Sequence, residues 1–209
     1  AERAKRAQDY FAANAAQWDS LRANHIPETA VETRMGELLG GEEIDLLVDL
    51  GTGTGRMLEI FGGRAQRAVG FDVSADMLTI ARAKLDETGS DNCQVRQGDC
   101  ANVPLEDNVA DVVILHQVLH FLDDPQRALN EAARIARPGG SILIADFGPH
   151  EMENLRDEHA HRRLGFADDE MHNMLASAGL QPVIGDMLAA KETPLTVAMW
   201  QAQKTERNA

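Results

Sequence analysis

Short apolar blocks alternate along the chain with segments of helical periodicity. The blocks are rich in Val, Ile and Leu, which is typical of strands buried on both faces of a parallel sheet. Between them, apolar residues recur three and four positions apart, as on the inner face of an amphipathic helix. The alternation predicts an α/β fold with helices on both faces of the sheet. Seven strands are predicted, at Ile44–Leu50, Arg67–Asp72, Gln94–Gln97, Asp111–Leu115, Ser141–Asp146, Pro182–Met187 and Leu195–Gln201.

The ends of the predicted helices carry recognisable signals. Ser74 is a candidate N-cap, and Asp124 followed by Pro125 is a typical helix start. Arg137–Gly140 contains a proline and two glycines and should end that helix before the next strand. Gly179 should end the last helix.

Length and composition favour a single domain. With 209 residues and 44% hydrophobic content, the chain can bury one core. We expect residues 1–43 to form an N-terminal helical lid, residues 44–147 the ligand-binding core, and residues 148–209 the C-terminal half. The chain begins with Ala rather than Met, which is expected of a processed or excised piece of a longer protein.

Charge and cysteine content limit the kinds of binding partner and the cellular compartment that are expected for the chain. The formal net charge of −14 is spread along the chain, so nucleic acid is not an expected direct partner. No apolar run reaches the roughly 20 residues of a membrane helix, and no secretory signal is present, so no membrane association and a cytoplasmic location are expected. Cys93 and Cys100 lack the spacing of a metal site or a disulfide framework.

A glycine-rich turn follows the first predicted strand. Gly51, Gly53 and Gly55 alternate with Thr52 and Thr54 immediately after Leu50. Such a turn lets a ligand approach the backbone at a helix N-terminus. Arg56 occupies the position where a dinucleotide fingerprint has its third glycine, which counts against NAD or FAD. Asp49 just before the turn favours a ligand that carries positive charge.

Two further carboxylates end the next strands. Asp72 follows Gly51 by 21 residues and can accept hydrogen bonds from the hydroxyls of a ribose. Asp99 can accept a hydrogen bond from an exocyclic amino group such as that of adenine. Asp72 as a helix cap and Asp99 as a turn residue are the structural alternatives. Because the carboxyl ends of adjacent parallel strands meet in one crevice, we expect Asp49, Asp72 and Asp99 to face one ligand.

Two histidines follow the fourth predicted strand. His116 lies directly after it and His120 one helical turn later, so either could act as a general base near neutral pH. The alternative is that one or both are hydrogen-bonded packing residues. His150, His159 and His161 enrich the C-terminal half in histidine, but no acid or cysteine completes a metal-binding set, and no metal is predicted.

Aromatic residues near the N-terminus form a helical stripe. Tyr10, Asn14 and Trp18 are spaced four residues apart and would lie on one helical face. One interpretation is a packing stripe. The other is that Tyr10 and Trp18 belong to a lid over the ligand.

Five motifs occur in an order that resembles one known family. VDLGTGTG, GFDVS, QGD, DVVILHQVLHFLDDPQRAL and RIARPGGSILIADF are similar to the successive motifs of class I methyltransferases that use S-adenosyl-L-methionine (SAM). The resemblance implies a Rossmann-like sheet with strand order 3-2-1-4-5-7-6 and an antiparallel last strand. It also implies SAM as cofactor and S-adenosyl-L-homocysteine (SAH) as product.

The same resemblance implies roles for individual residues. Gly51, Thr52, Gly53 and Gly55 would lie along the methionine part of SAM, with Asp49 near its amino group. Asp72 would hold the ribose, Val73 or Met77 would pack on the adenine, and Asp99 with Cys100 would border the adenine edge. His116 would lie near the transferred methyl group, and His120 is the second candidate base.

A narrower resemblance leaves two functions open. Within the subgroup related to ubiquinone and menaquinone methyltransferases, YFAANAAQWDSLR, HQVLHFLDDP and DEHAHRRLGFADDEM resemble methyltransferase domains attached to ArsR-type winged-helix regulators. The first hypothesis is an enzyme that methylates a small-molecule acceptor, with the helices before Ile44 and the segment His150–Phe166 forming the walls of the acceptor pocket. Residues 148–209 would then be the acceptor-side half of the domain. The alternative is a SAM- or SAH-sensing effector domain next to a DNA-binding module that this chain lacks. A homodimer stays open under both hypotheses.

Overall fold

A computed structural model describes Tyr10 and residues 13–18, 28–189 and 195–205. In this part of the chain, seven strands form one sheet in the order β3-β2-β1-β4-β5-β7-β6. Strands β1 to β5 run parallel to one another, and β7 runs antiparallel to both β5 and β6. The predicted fold class and strand order are therefore confirmed. The strands are β1 (Ile44–Leu50), β2 (Ala65–Asp72), β3 (Cys93–Gln97), β4 (Ala110–His116), β5 (Ala136–Phe147), β6 (Leu180–Ala189) and β7 (Thr196–Lys204).

Six helices lie within the described ranges from residue 28 onward. They are α1 (Glu28–Leu38), α2 (Arg56–Phe61), α3 (Ala75–Thr88), α4 (Pro125–Ile135), α5 (Asn154–Glu158) and α6 (Asp168–Ser177). The predicted cap of α3 is confirmed, because the Ser74 hydroxyl accepts a hydrogen bond from the Met77 N–H at 3.3 Å. Helix α4 begins at Pro125 as predicted, although the Asp124 side chain makes no capping hydrogen bond.

The start of β5 differs from the prediction. The sequence places it at Ser141, whereas the strand begins at Ala136. Ala110 pairs with Ala136 but Val112 pairs with Ser141, so residues 137–140 form an irregularity between two ladder positions. Gly139 has a φ of +76°, which glycine adopts without strain. The proline and glycine signal therefore marks a bulge inside a strand.

Each face of the sheet carries its own core. Leu46, Val48 and Leu50 pack with residues of α4 and α6, whereas Leu47 between them packs with residues of α1, α2 and α3. This alternation follows from the two-residue period of a strand. The helices thus cover both faces and leave the carboxyl ends of the strands accessible. Within the described ranges, no helix combines the length and the hydropathy needed to cross a bilayer.

Candidate active site

A cavity of about 380 Å³ opens at the carboxyl ends of β1, β2 and β4. Its size is within the range of small-molecule sites. Most of the predicted site residues line it, namely Trp18, Asp49, Gly51, Thr52, Gly53, Asp72, Val73, Met77, Asp99, Cys100 and His116. Gly55, His120 and Tyr10 are not among its lining residues.

The glycine turn is fixed by backbone hydrogen bonds to the end of β2. The Gly51 and Thr52 N–H groups both donate to the Phe71 carbonyl, at 2.8 and 2.9 Å. Gly51 and Gly53 have φ values of +78° and +52°, in the left-handed region. A Cβ on Gly51 would lie 2.3 Å from Val118 Cγ2, so the segment after β4 packs directly against the turn.

Gly55 has a different place from the other two glycines. It precedes α2 in a left-handed conformation, with a φ of +82°. A Cβ there would lie 3.0 Å from the Cβ of Ala81 on α3. The left-handed conformation and the close approach of Ala81 account for glycine at position 55. A contact between Gly55 and the methionine part of SAM stays a prediction.

Asp72 connects the end of β2 to the glycine turn. Its Oδ2 accepts from the Gly53 N–H at 2.9 Å and its Oδ1 from the Ser74 N–H at 2.8 Å. Burial raises the pKa of Asp72, while the backbone donors Ser74, Gly53 and Val73 lower it. A carboxylate offers about four acceptor positions, so the three backbone donors leave capacity for a hydrogen bond from a ribose hydroxyl. Its position thus fits both the cap and the ribose hypotheses.

Asp99 and Cys100 form the rim of the cavity after β3. The Asp99 Oδ1 accepts from the Ala101 N–H at 2.9 Å, which is the turn contact considered as its structural alternative. Burial, with Asp99 and Asp72 nearby, raises the pKa of the Cys100 thiol to about 12. The thiol therefore stays protonated near neutral pH and is a packing group rather than a nucleophile.

Carboxylates dominate the charge at this end of the cavity. Asp49 is buried on β1 and lines the cavity together with Asp72 and Asp99. Arg56 also lines it, but its guanidinium is bound by Glu32 at 2.7 and 2.9 Å. Because the charge of Arg56 is paired with that of Glu32, it does not neutralise the three acids. The acids therefore favour a ligand that carries positive charge.

The two candidate bases occupy different environments. His116 ends β4, is 9% exposed and lines the cavity. His120 is 1% exposed, and its Nδ1 lies 2.7 Å from Asp146 Oδ1. The short turn Leu119–Phe121 carries His120 beneath the end of β5, where its ring packs against Phe147. His120 is thus a hydrogen-bonded packing residue that does not line the cavity, and we keep His116 alone as the candidate base.

Trp18 forms part of the cavity wall. Its ring centroid lies 5.9 Å from that of Phe121 and 6.4 Å from that of Tyr10. The Tyr10 hydroxyl lies 2.8 Å from His159 Nδ1, which joins the N-terminal segment to the C-terminal half. Much of the predicted lid, residues 1–9, 11–12 and 19–27, lies outside the described residues. Lid motion stays a prediction.

His120, in the turn after β4, lies close to three histidines of the C-terminal half, His150, His159 and His161. The His161 ring centroid is 4.3 Å from that of His120, 6.4 Å from His150 and 6.5 Å from His159. Burial, followed by the effect of His120, lowers the pKa of His150. Across the described ranges, no group of three or more His, Cys, Asp or Glu side chains is arranged to hold a metal ion.

Several lining residues were absent from the sequence prediction. Gln117 and Phe121 lie within the motif that contains His116, and Arg127 follows on α4. Arg162 lines the cavity from the segment that was expected to form the acceptor wall. Gln117 could have been suspected because it directly follows His116, whereas the place of Arg162 depends on long-range packing.

The core of the chain matches a known family. The family described as "Methyltransferase domain" matches residues 48–144. Over 211 residues, the chain is 29% identical to the biotin biosynthesis bifunctional protein BioHC of Teredinibacter turnerae, covering 93% of the chain and 36% of BioHC. It is 30% identical to the demethylmenaquinone methyltransferase of Lactococcus lactis, covering 68% of the chain and 58% of that enzyme. The chain thus spans less than two thirds of these relatives' lengths.

A third relative is covered over more of its length. The Escherichia coli protein YafE is 31% identical, with 65% of the chain and 68% of YafE covered. Among solved structures, geranyl diphosphate C-methyltransferase of Streptomyces coelicolor, in complex with Mg²⁺, geranyl diphosphate and SAH, superposes with a TM-score of 0.74. It shares 15% identity, over 85% of this chain and 79% of that chain, so it supports the fold alone.

Proposed function

The chain belongs to the family of class I SAM-dependent methyltransferases, and we propose that it transfers the methyl group of SAM to a small-molecule acceptor. The observation that carries this proposal is the convergence of the glycine turn with Asp49, Asp72 and Asp99 in one cavity. A glycine turn alone would suit many nucleotides. Three acids beside it suit a nucleoside that carries an ammonium and a sulfonium group in place of phosphates.

From the strand order, we propose which part of the cavity each part of SAM would occupy. The adenosine would lie over β2 and β3, with Asp72 on the ribose, Asp99 and Cys100 at the adenine edge, and Val73 or Met77 against the ring. The methionine part would lie over β1, along the glycine turn and close to Asp49. The methyl group would then point toward the end of β4, where His116 lines the cavity.

Methyl transfer is an in-line displacement at carbon. The acceptor's lone pair forms a bond to the methyl carbon while the carbon–sulfur bond breaks and its electrons stay on sulfur, which leaves SAH. Most of the acceleration comes from holding the donor and the acceptor in line. When the acceptor atom carries a proton, a base must take it, and His116 is the side chain that we propose for this step.

Replacing His116 with alanine should separate binding from chemistry. We expect the affinity for SAH to change less than about threefold, while acceptor-dependent turnover falls roughly 100-fold or more, as for the loss of a general base. The measurement is SAH release from SAM across a panel of phenols, carboxylic acids, amines and thiols. His172→Ala is the matched control, because His172 lies on α6 and is not a cavity-lining residue.

The outcomes of this assay differ for enzyme and sensor. Equal turnover in the wild type and in His116→Ala would retain the enzyme and exclude His116 as its base. Tight SAM and SAH binding without turnover on any member of the panel would favour the sensing effector domain. That alternative, the attached winged-helix module, the cytoplasmic location and the homodimer stay predictions that no observation above favours.

A further inference from the structure

Gln117 is held in a backbone conformation that glutamine rarely adopts. Its φ is +54°, in the left-handed region. Its N–H donates to the Ala145 carbonyl at 2.8 Å, so the ladder between β4 and β5 extends to this residue and fixes it. Backbone strain of this kind persists where the surrounding structure enforces it, and it clusters at functional sites.

The side chain of Gln117 is a second unfavourable feature of this residue in the folded state. It is 7% exposed and lines the cavity, and among the described residues neither Oε1 nor Nε2 has a hydrogen-bond partner. A buried amide that makes no hydrogen bond destabilises the folded state. The neighbouring buried polar side chains of His120 and Asp146 are hydrogen-bonded to each other. The amide of Gln117 therefore has unused hydrogen-bonding capacity beside the cavity.

The position of Gln117 points to the acceptor rather than the donor. Strand β1 lies between β2 and β4, so the residue after β4 is on the opposite side of the glycine turn from Asp72. Val118, the next residue, packs against Gly51. On the proposed function, the methyl group leaves SAM toward this side, and the acceptor must approach from it.

The surroundings of Gln117 indicate the class of acceptor. Trp18, Phe121 and Leu122 give the same cavity an aromatic and apolar wall suited to a planar ring, and the charged side chains of Asp123, Asp124, Arg127 and Arg162 line it as well. An amide offers a donor and an acceptor side by side, and a hydroxyl group can satisfy both, whereas a carboxylate can only accept. We propose that Gln117 binds the hydroxyl group of an aromatic acceptor.

The test compares pairs of probes that differ only in a hydroxyl or a methyl group. Phenol with toluene, and 4-hydroxybenzoate with 4-methylbenzoate, are titrated by ligand-observed NMR into the SAH-saturated protein. In the wild type, the hydroxylated member should bind at least about fivefold more tightly. In Gln117→Met, which keeps the length of the side chain and removes both polar atoms, the preference should vanish. Gln181→Met, at an exposed position of β6, should keep it.

Two further measurements separate this inference from the proposed function, on which it rests. By calorimetry, SAH should bind Gln117→Met within about threefold of the wild type. The ligand-free Tm of that variant should rise by roughly 2–8 °C, because the unsatisfied amide is removed. A wild type that does not bind SAH would contradict the proposed function itself.

With SAH bound normally, other results would overturn the role of Gln117 alone. They are a hydroxyl preference that persists in Gln117→Met, equal binding of both members of each pair, or no saturable binding of any probe. A tenfold or larger loss of SAH affinity in Gln117→Met would also overturn it, because the amide would then serve the donor.

Discussion

Replacing Asp72 with alanine should weaken SAH binding by roughly 10- to 150-fold, which corresponds to about 1.5–3 kcal/mol for hydrogen bonds to a charged group. Two effects add. The ribose would lose its acceptor, and the Gly53 N–H, now bound by the carboxylate at 2.9 Å, would lose the bond that holds the glycine turn. Calorimetric titration of SAH measures the change.

Two control variants make this result specific. Asp72→Asn retains one side-chain oxygen but loses the charge, and it should fall between wild type and alanine. Asp91→Ala removes an exposed carboxylate in the turn before β3 and should bind SAH as the wild type does. Unchanged affinity in a folded Asp72→Ala protein would show that the acid serves only the local backbone.

Replacing Gly51 with alanine should lower the free energy of unfolding by roughly 2–5 kcal/mol. Left-handed backbone costs about 1–2 kcal/mol for a residue with a Cβ, and overpacking costs about 1–3 kcal/mol more. The new Cβ would lie 2.3 Å from Val118 Cγ2 and 2.8 Å from Val118 Cβ. Because a β-branched side chain has little rotamer freedom, either the turn or the segment after β4 must move. Denaturant unfolding measures the loss.

The clash and the strain in this variant can be separated. Gly51→Ala with Val118→Ala removes the clash and should recover part of the loss, whereas the strain from a φ of +78° remains. Gly63→Ala is the matched control, because a Cβ there meets nothing within 4 Å and its φ is not positive. A Gly51→Ala protein as stable as Gly63→Ala would show that the turn adapts freely.

The sequence predicted the frame of the site because local patterns determine it. Apolar blocks placed the strands, and acids at their carboxyl ends had to converge once the sheet was parallel. Asp49, Asp72 and Asp99 accordingly line one cavity. The glycine turn was evident from its spacing and from the strand that precedes it.

Other features depend on contacts between distant segments. His120 was a candidate base because it follows β4 by one turn, but its partner Asp146 lies on β5, and only the register of His116 with Ala145 brings the two together. Gln117 was not predicted as a site residue, because neither its positive φ nor its unsatisfied amide can be inferred from the residue type. Gly55 fitted a ligand pattern, yet the close approach of Ala81 also accounts for it.

The most direct test of the central claim is an equilibrium titration of the purified chain with SAM and SAH, followed by competition with NAD. The three acids beside the glycine turn predict saturable binding of SAM and SAH at micromolar concentrations, and they predict that NAD, which carries a pyrophosphate, does not compete. Tighter binding of NAD than of SAM, or no binding of SAM by a folded protein, would contradict the account.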